Sequence, residues 1–304
     1  VAVLSAPSGT PSWKVASGAP LQLVALILDK QTPSGVGGES RGIENNGGTV
    51  VLNRVTIHGL VRALVNQASS LAVVADSSLL SNGETGLFNE GTAIVGRSLF
   101  FSNWSFSTSL VGGGGGIYNS GHLTVANSTL TGNVAWSRGG GGIWNTTSGT
   151  AVLANVTIAQ NWGNIRAGGI DNEGSLSMAN TLLDGNTSTG KNWDCEGTLT
   201  ATGPNLMSTL VDCTVTGVAP IVGPALLGPL ADNGGPTKTH ALLNGSPAVN
   251  AGSAAVCAAS PVEGLDQRGV ARPQGPPATS ARSSRRCRGS WAAATSGSPP
   301  GPLT

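Results

Sequence analysis

Charged side chains are scarce. They make up 10% of the 304 residues, against about a quarter in an ordinary soluble domain. A chain this poor in charge either crosses a membrane or clothes its surface in neutral polar residues. No apolar run reaches the roughly 18 residues a membrane-spanning helix needs. The longest candidate, Leu21 to Leu28, is broken by Gln22. The second alternative therefore holds, and no membrane span is expected. Basic residues form no stripe of the kind that binds nucleic acid; the one local excess, Arg282, Arg285, Arg286 and Arg288, lies beyond Ala278. Histidines number three, His58, His122 and His240, far apart in sequence, so no catalytic triad is indicated.

Cysteines are few as well. Cys195, Cys213, Cys257 and Cys287 stand in no Cys-x-x-Cys or His-rich setting, which argues against zinc, and no metal or other cofactor is expected. Cys195 and Cys213 flank a short Thr/Gly-rich segment and suit a disulfide formed in an oxidising compartment; two buried thiols are the alternative. Val1 is preceded by no charged leader, so a signal peptide is expected to lie upstream or to have been removed. Export must be argued from other features.

Glycine, at 46 positions, is what the chain has in excess, and it follows a repeat. Gly42-Ile43-Glu44-Asn45, Ala63-Leu64-Val65-Asn66, Gly86-Leu87-Phe88-Asn89, Gly116-Ile117-Tyr118-Asn119, Gly142-Ile143-Trp144-Asn145 and Gly169-Ile170-Asp171-Asn172 align without gaps. Their asparagines are 21, 23, 30, 26 and 27 residues apart. A second element follows each copy, as in Asn127-Ser-Thr-Leu130-Thr-Gly-Asn133 and Asn155-Val-Thr-Ile158-Ala-Gln-Asn161. An alternating stretch such as His122-Leu123-Thr124-Val125-Ala126 lies between. These segments are short, alternate with period two and favour Val, Ile, Leu and Thr, so they read as strands. No copy has room for a helix of ten residues. A coil of two or three strands and turns is the pattern of a right-handed parallel β-helix.

Equivalent residues then stack about 4.8 Å apart. Ile43, Leu64, Leu87, Ile117, Ile143 and Ile170 are expected to form an internal aliphatic ladder. Asn45, Asn66, Asn89, Asn119, Asn145 and Asn172 share that face, where side-chain amides bond up and down the stack and lose the usual cost of burial. The sequons at Asn127 and Asn155 fall at one repeat position and are read as products of the register rather than as glycan sites.

The residue between the inward aliphatic and the inward Asn points outward. In three successive coils it is Phe88, Tyr118 and Trp144, which predicts an exposed aromatic strip, joined by Trp104, Trp136, Trp162 and Trp193 from later loops. The alternative is that the inserts Gly112 to Gly116 and Gly139 to Gly142 fold over the strip and bury it. The leading functional expectation is a monomeric, non-catalytic, adhesin-like module binding carbohydrate or a cell-surface partner through this strip. A polysaccharide lyase or hydrolase using Asp171, Glu173 and Asp184 is the second expectation, since such chemistry needs paired carboxylates about 5–10 Å apart; an exposed, solvated turn is the plainer reading of these acids. A structural spacer is the third. The Asn-Thr-Asp, Gly-His-Gly and Arg-Ile-Lys elements of polygalacturonases are absent. Asp232-Asn-Gly-Gly235 has turn chemistry, with calcium binding as the weaker alternative.

The paired Gly-Gly-Ile and Phe100-Phe-Ser-Asn103 elements resemble the repeats of polymorphic outer-membrane proteins over residues 40 to 190. The later block, Gly228-Pro-Leu-Ala-Asp232-Asn-Gly-Gly235-Pro-Thr-Lys-Thr-His240 through Gly252 and Asp266-Gln-Arg-Gly269, closely resembles the end of bacterial choice-of-anchor Q domain proteins. That resemblance implies export, a surface or extracellular location and a pectin-lyase-like superhelix; it implies no activity. The chain divides accordingly into a β-helix over 1–215, with its clear repeats at 42–190, a choice-of-anchor-like segment at 216–276 packing on the last coils, and a disordered tail at 277–304. The tail departs from the family. One choice of codons for Pro277 to Ser284, read two bases later, gives the family's Cys-Asp-Ile-Gly-Ala-Phe-Glu. The tail is therefore read as an out-of-frame product, which would deprive Cys257 of its family partner; a natural low-complexity linker is the alternative.

Overall fold

The computed structural model describes residues 2–6, 13–30, 42–106, 113–136, 138–189, 191–272 and 294–295; the tail reading lies outside them apart from the last pair. The chain winds as a parallel β-helix, the fold class expected. Three strand faces recur in each coil. The first holds Ile43–Asn45, Arg62–Asn66, Thr85–Asn89, Ile117–Asn119, Ile143–Asn145 and Ile170–Asn172. The second holds alternating strands such as Thr92–Gly96, His122–Ala126 and Thr150–Ala154. The third holds strands such as Leu99–Phe101, Thr129–Thr131 and Thr157–Ala159 in a ten-stranded parallel sheet. The seven-residue strand Cys195–Ala201 pairs with both the first and second faces, joining them into one sheet.

The inner ladder is as the repeat requires. Ile43, Leu64, Leu87, Ile117, Ile143 and Ile170 pair in register and are all buried, as are Val74, Val95, Val125 and Leu153 from the second face and Ile57, Leu79, Phe100, Leu130 and Ile158 from the third. Each asparagine of the first face donates its Nδ2 to the Oδ1 of the next, at 2.9, 2.8, 2.7, 2.7 and 2.7 Å from Asn45 to Asn172. A second ladder closes the opposite corner. Asn82, Asn103, Asn133, Asn161 and Asn186 bond in sequence and end on the carboxylate of Asp194. Buried amides are thus satisfied by their own copies.

Cys195 and Cys213 form the expected disulfide, with their Cα atoms 5.3 Å apart. Cys257 is also disulfide-bonded, so it is not left without a partner.

Residues 216–272 do not stop at the last coils. Cys213–Gly217 and Ile221–Val222 still pair with the last coils. The chain then crosses the outer side of the third face from Ala225 at Asp184 to Thr237 at Arg97 O, and returns through His240 at Thr131 to Ser253 at Asn180. It crosses again past Cys257, which Asn180 and Asn155 reach, and Val262 at Asn127 to Gln267 at Thr129 and Ser98 O. Asn127 and Asn155 lie beneath this segment at 2% exposure, which leaves no room for a glycan.

Candidate functional site

The outward column of the first face reads, in register, Lys14, Glu44, Val65, Phe88, Tyr118, Trp144, Asp171 and Glu196. Its middle is the predicted aromatic strip. The rings do stack: Phe88 and Tyr118 lie 4.4 Å apart at 6°, and Trp144 meets Tyr118 edge-on at 5.2 Å. They are not exposed, and this corrects the leading expectation. Phe88, Tyr118 and Trp144 retain 5, 9 and 6% of their surface and form an apolar cluster with Val65, separate from the main core. The cause is the glycine inserts. A Cβ on Gly113 would stand 2.2 Å from the Trp144 ring, and one on Gly139, at φ +92°, 2.7 Å. Only glycine lets the backbone lie this close over the indole.

An exposed aromatic patch exists one corner further on. A short row of strands follows the second asparagine ladder: Trp104–Ser105, Val134–Ala135, Trp162–Gly163 and Thr187–Ser188. Trp104, Val134, Trp162 and Thr187 pair in register. Phe106, Trp136, Asn164 and Thr189 follow two positions later in each coil, on the same side. Phe106 is 52% exposed, Trp136 44% and Trp104 38%, with Trp162 half-buried. Trp104 and Phe106 lie 5.4 Å apart, Phe106 and Trp136 5.9 Å, and Trp136 meets Trp162 at 4.8 Å. Trp104, Trp136 and Trp162 thus come together, while Trp193 is buried beneath Lys191 elsewhere. Phe106 escaped the sequence reading because it sits in a loop outside both repeat motifs. Its spacing of two from Trp104, like that of Trp136 from Val134, was the available signal.

The predicted acids divide. Asp171 and Glu173 meet around Arg166, whose Nε is 3.9 Å from Asp171 and whose Nη2 is 3.5 Å from Glu173; its Nη1 pairs with Glu196. Asp184 lies on the third face, where it accepts the Ala225 N–H, and takes no part. Asp171 is 1% exposed rather than solvated, and neither carboxylate oxygen has a hydrogen-bond partner among the described residues. Burial pushes its carboxyl up to about 7, with Glu196 and Glu173 adding to the rise and Arg166 opposing it. The Asp171 carboxylate is thus enclosed, while Arg166, Glu173 and Glu196 around it stay partly open to solvent. Glu196 was missed because Cys195-Glu196-Gly197 is a degenerate copy of the Ile-x-Asn strand.

The motifs of the C-terminal block are structural. Asp266 Oδ2 accepts Arg268 Nη2 at 2.8 Å and also Arg272; although burial opposes its ionisation, Arg272 and Arg268 hold it below the usual carboxylate range. His240 is fully buried, with Nδ1 at Gly228 O and Nε2 at Thr131 Oγ1; burial pushes the imidazole below its ordinary value. Asp232 Oδ1 accepts the Gly234 N–H, which makes Asp232–Gly235 a turn. No group of His, Cys, Asp or Glu placed to hold a metal occurs among the described residues, and no helix among them is long and apolar enough to cross a membrane.

Comparison of the chain with protein-family models, curated proteins and solved structures gives no match.

Proposed function

We propose that this β-helix is an exported, adhesin-like module that binds carbohydrate through Trp104, Phe106, Trp136 and Trp162. The carrying observation is the patch itself. In a chain only 4% aromatic, four rings gather on adjacent coils, and three of them keep more than a third of their surface open. Contiguous apolar surface on an ordered scaffold is characteristic of a binding site. Indoles and phenyl rings pack against the C–H faces of sugars, while an indole N–H supplies a polar contact at the edge. The coils hold the rings in place, so little ordering entropy is lost on binding. A location outside the cytoplasm is supported by the Cys195–Cys213 disulfide. It is also supported by the resemblance of the Asp232–Gly235 and Asp266–Gly269 segments to choice-of-anchor Q proteins.

Retention on insoluble polysaccharide tests the reading. The wild-type chain is expected to be held on at least one of cellulose, chitin, xylan or mannan, and a Trp104→Ala/Trp136→Ala variant with an unchanged thermal melt to pass into the wash. Passage of the wild type from all four, or undiminished retention of the variant, removes the proposal.

A further inference from the structure

The patch has a shape and a charge, and both bear on what it takes. Its two columns run parallel to the solenoid axis, one along Trp104, Val134 and Trp162, the other along Phe106 and Trp136. Its long direction therefore crosses coils at about 4.8 Å per step, and the observed ring spacings of 4.8 to 5.9 Å follow that step. The four parallel strands that hold the rings and their continuation contain no ionisable side chain. The fifth strand of the row, Lys191–Asn192, pairs antiparallel with Thr187–Ser188 at the far end, where its one ammonium lies over Trp193 and is paired with Asp212 at 3.5 Å. Beyond Trp136 and Trp162 the columns continue as Asn164, Thr187 and Thr189, which are uncharged donors and acceptors.

From this geometry we infer that the patch takes an uncharged, extended glycan laid along the solenoid axis, with about one sugar ring per coil. The inference rests on the carbohydrate-binding reading above and names its ligand class. An extended β-1,4-linked chain advances by nearly one coil repeat per ring, so successive pyranose rings meet successive aromatics, near-parallel at 14° from Phe106 to Trp136 and turned by 61° at Trp162, and the next hydroxyls reach Asn164 and Thr189. A tightly helical glycan turns away from the axis after a short contact. A uronate or sulfated chain brings a negative charge against apolar rings at every step, where no cation in these strands offsets its lost hydration.

Calorimetric titration with cello-oligosaccharides from dimer to hexamer, beside oligogalacturonates of the same lengths, separates the outcomes. Wild type is expected to bind the neutral series, more tightly with each added ring up to about the trimer or tetramer and little thereafter. Raising the salt is expected to leave that affinity unchanged, and Phe106→Ala or Trp136→Ala to weaken it at least tenfold without shifting the thermal melt. Binding of the galacturonates alone, or neutral binding that is as tight for the dimer as for the hexamer, overturns this ligand assignment while the carbohydrate reading stands. Failure of both series together with failure to be retained on any insoluble polysaccharide overturns both. Full affinity in the Trp136→Ala protein overturns the placement of the site.

Discussion

At the scale of single residues, Asp171 is the most consequential side chain outside the aromatic patch. Burial has raised its carboxyl from an ordinary 3.8 to about 7, so the folded chain keeps a proton there that the unfolded chain has already lost. Between those two values the unfolded state binds fewer protons, and stability falls as pH rises. Above about pH 7 both states are ionised and the loss levels off, at a total of order a few kcal/mol. Asp171→Asn removes the titration. Buried His240, whose lowered imidazole makes stability rise with pH in both proteins, still titrates in the variant. Against that common background the wild-type melting temperature is expected to lose ground to that of the variant between pH 5 and pH 8, and the variant to be the more stable protein at pH 8. Equal pH slopes would refute it. The sequence made the direction of this residue legible, since a position between two inward residues must face outward. It did not make the environment legible. Exposure here depends on inserts whose path follows from contacts with Trp144, and on Arg166 and Glu196, which stand 5 residues before and 25 after it in the chain.

The repeating element owes its stability to amides that satisfy one another. Asn119 is central in its ladder: it accepts from Asn89 and donates to Asn145 Oδ1, Thr150 O and Gly121 O. Truncation takes the donor from buried Asn145 Oδ1 and leaves Asn89 Nδ2 with only His122 O and Gly91 O, at about 1–3 kcal/mol for a buried group stranded. Asn119→Ala is therefore expected to lower the urea midpoint by several tenths of a molar or more, whereas Ser120→Ala, beside it in the turn, should change it little. Comparable midpoints for the two would show that the ladder contributes nothing net. Both the aliphatic and asparagine ladders were readable from sequence, because copies separated by variable loops still align without gaps in their strands. The short row carrying Trp104, Trp136 and Trp162 was less readable, because it consists of two-residue strands whose pairing is set by the coils on which they sit.

Across the whole molecule, residues 216–272 tie distant coils together. Gln267 is fully buried and joins three places at once: it accepts from Thr129 Oγ1, donates to Ser98 O and donates to Thr237 Oγ1. Gln267→Ala strands these partners and loosens the far end of the returning segment while leaving the inner ladders untouched. Limited proteolysis is expected to cut the variant first between residues 232 and 272, with the coils over 42–190 still protected; cleavage beginning within the coils would contradict this arrangement. The Asp266–Gly269 block, which carries the family resemblance, has its side chains consumed by this internal contact. The sequence placed the segment on the last coils because its chain position adjoins them. Its reversal along the third face depends on hydrogen bonds to residues as much as 169 positions away.

That reversal has a mechanical consequence. Tension entering at residue 272 meets the stack beside Ser98 and Thr129, near its middle, rather than at its last coil. The load path to the first coils therefore bypasses the lower turns, and the bonds of Gln267 to Thr129 and Ser98 and of Val262 to Asn127 take it first. Under a pull that would unravel a bare solenoid from its end, coil by coil, the lower turns of this one stay slack until the returning strap has let go.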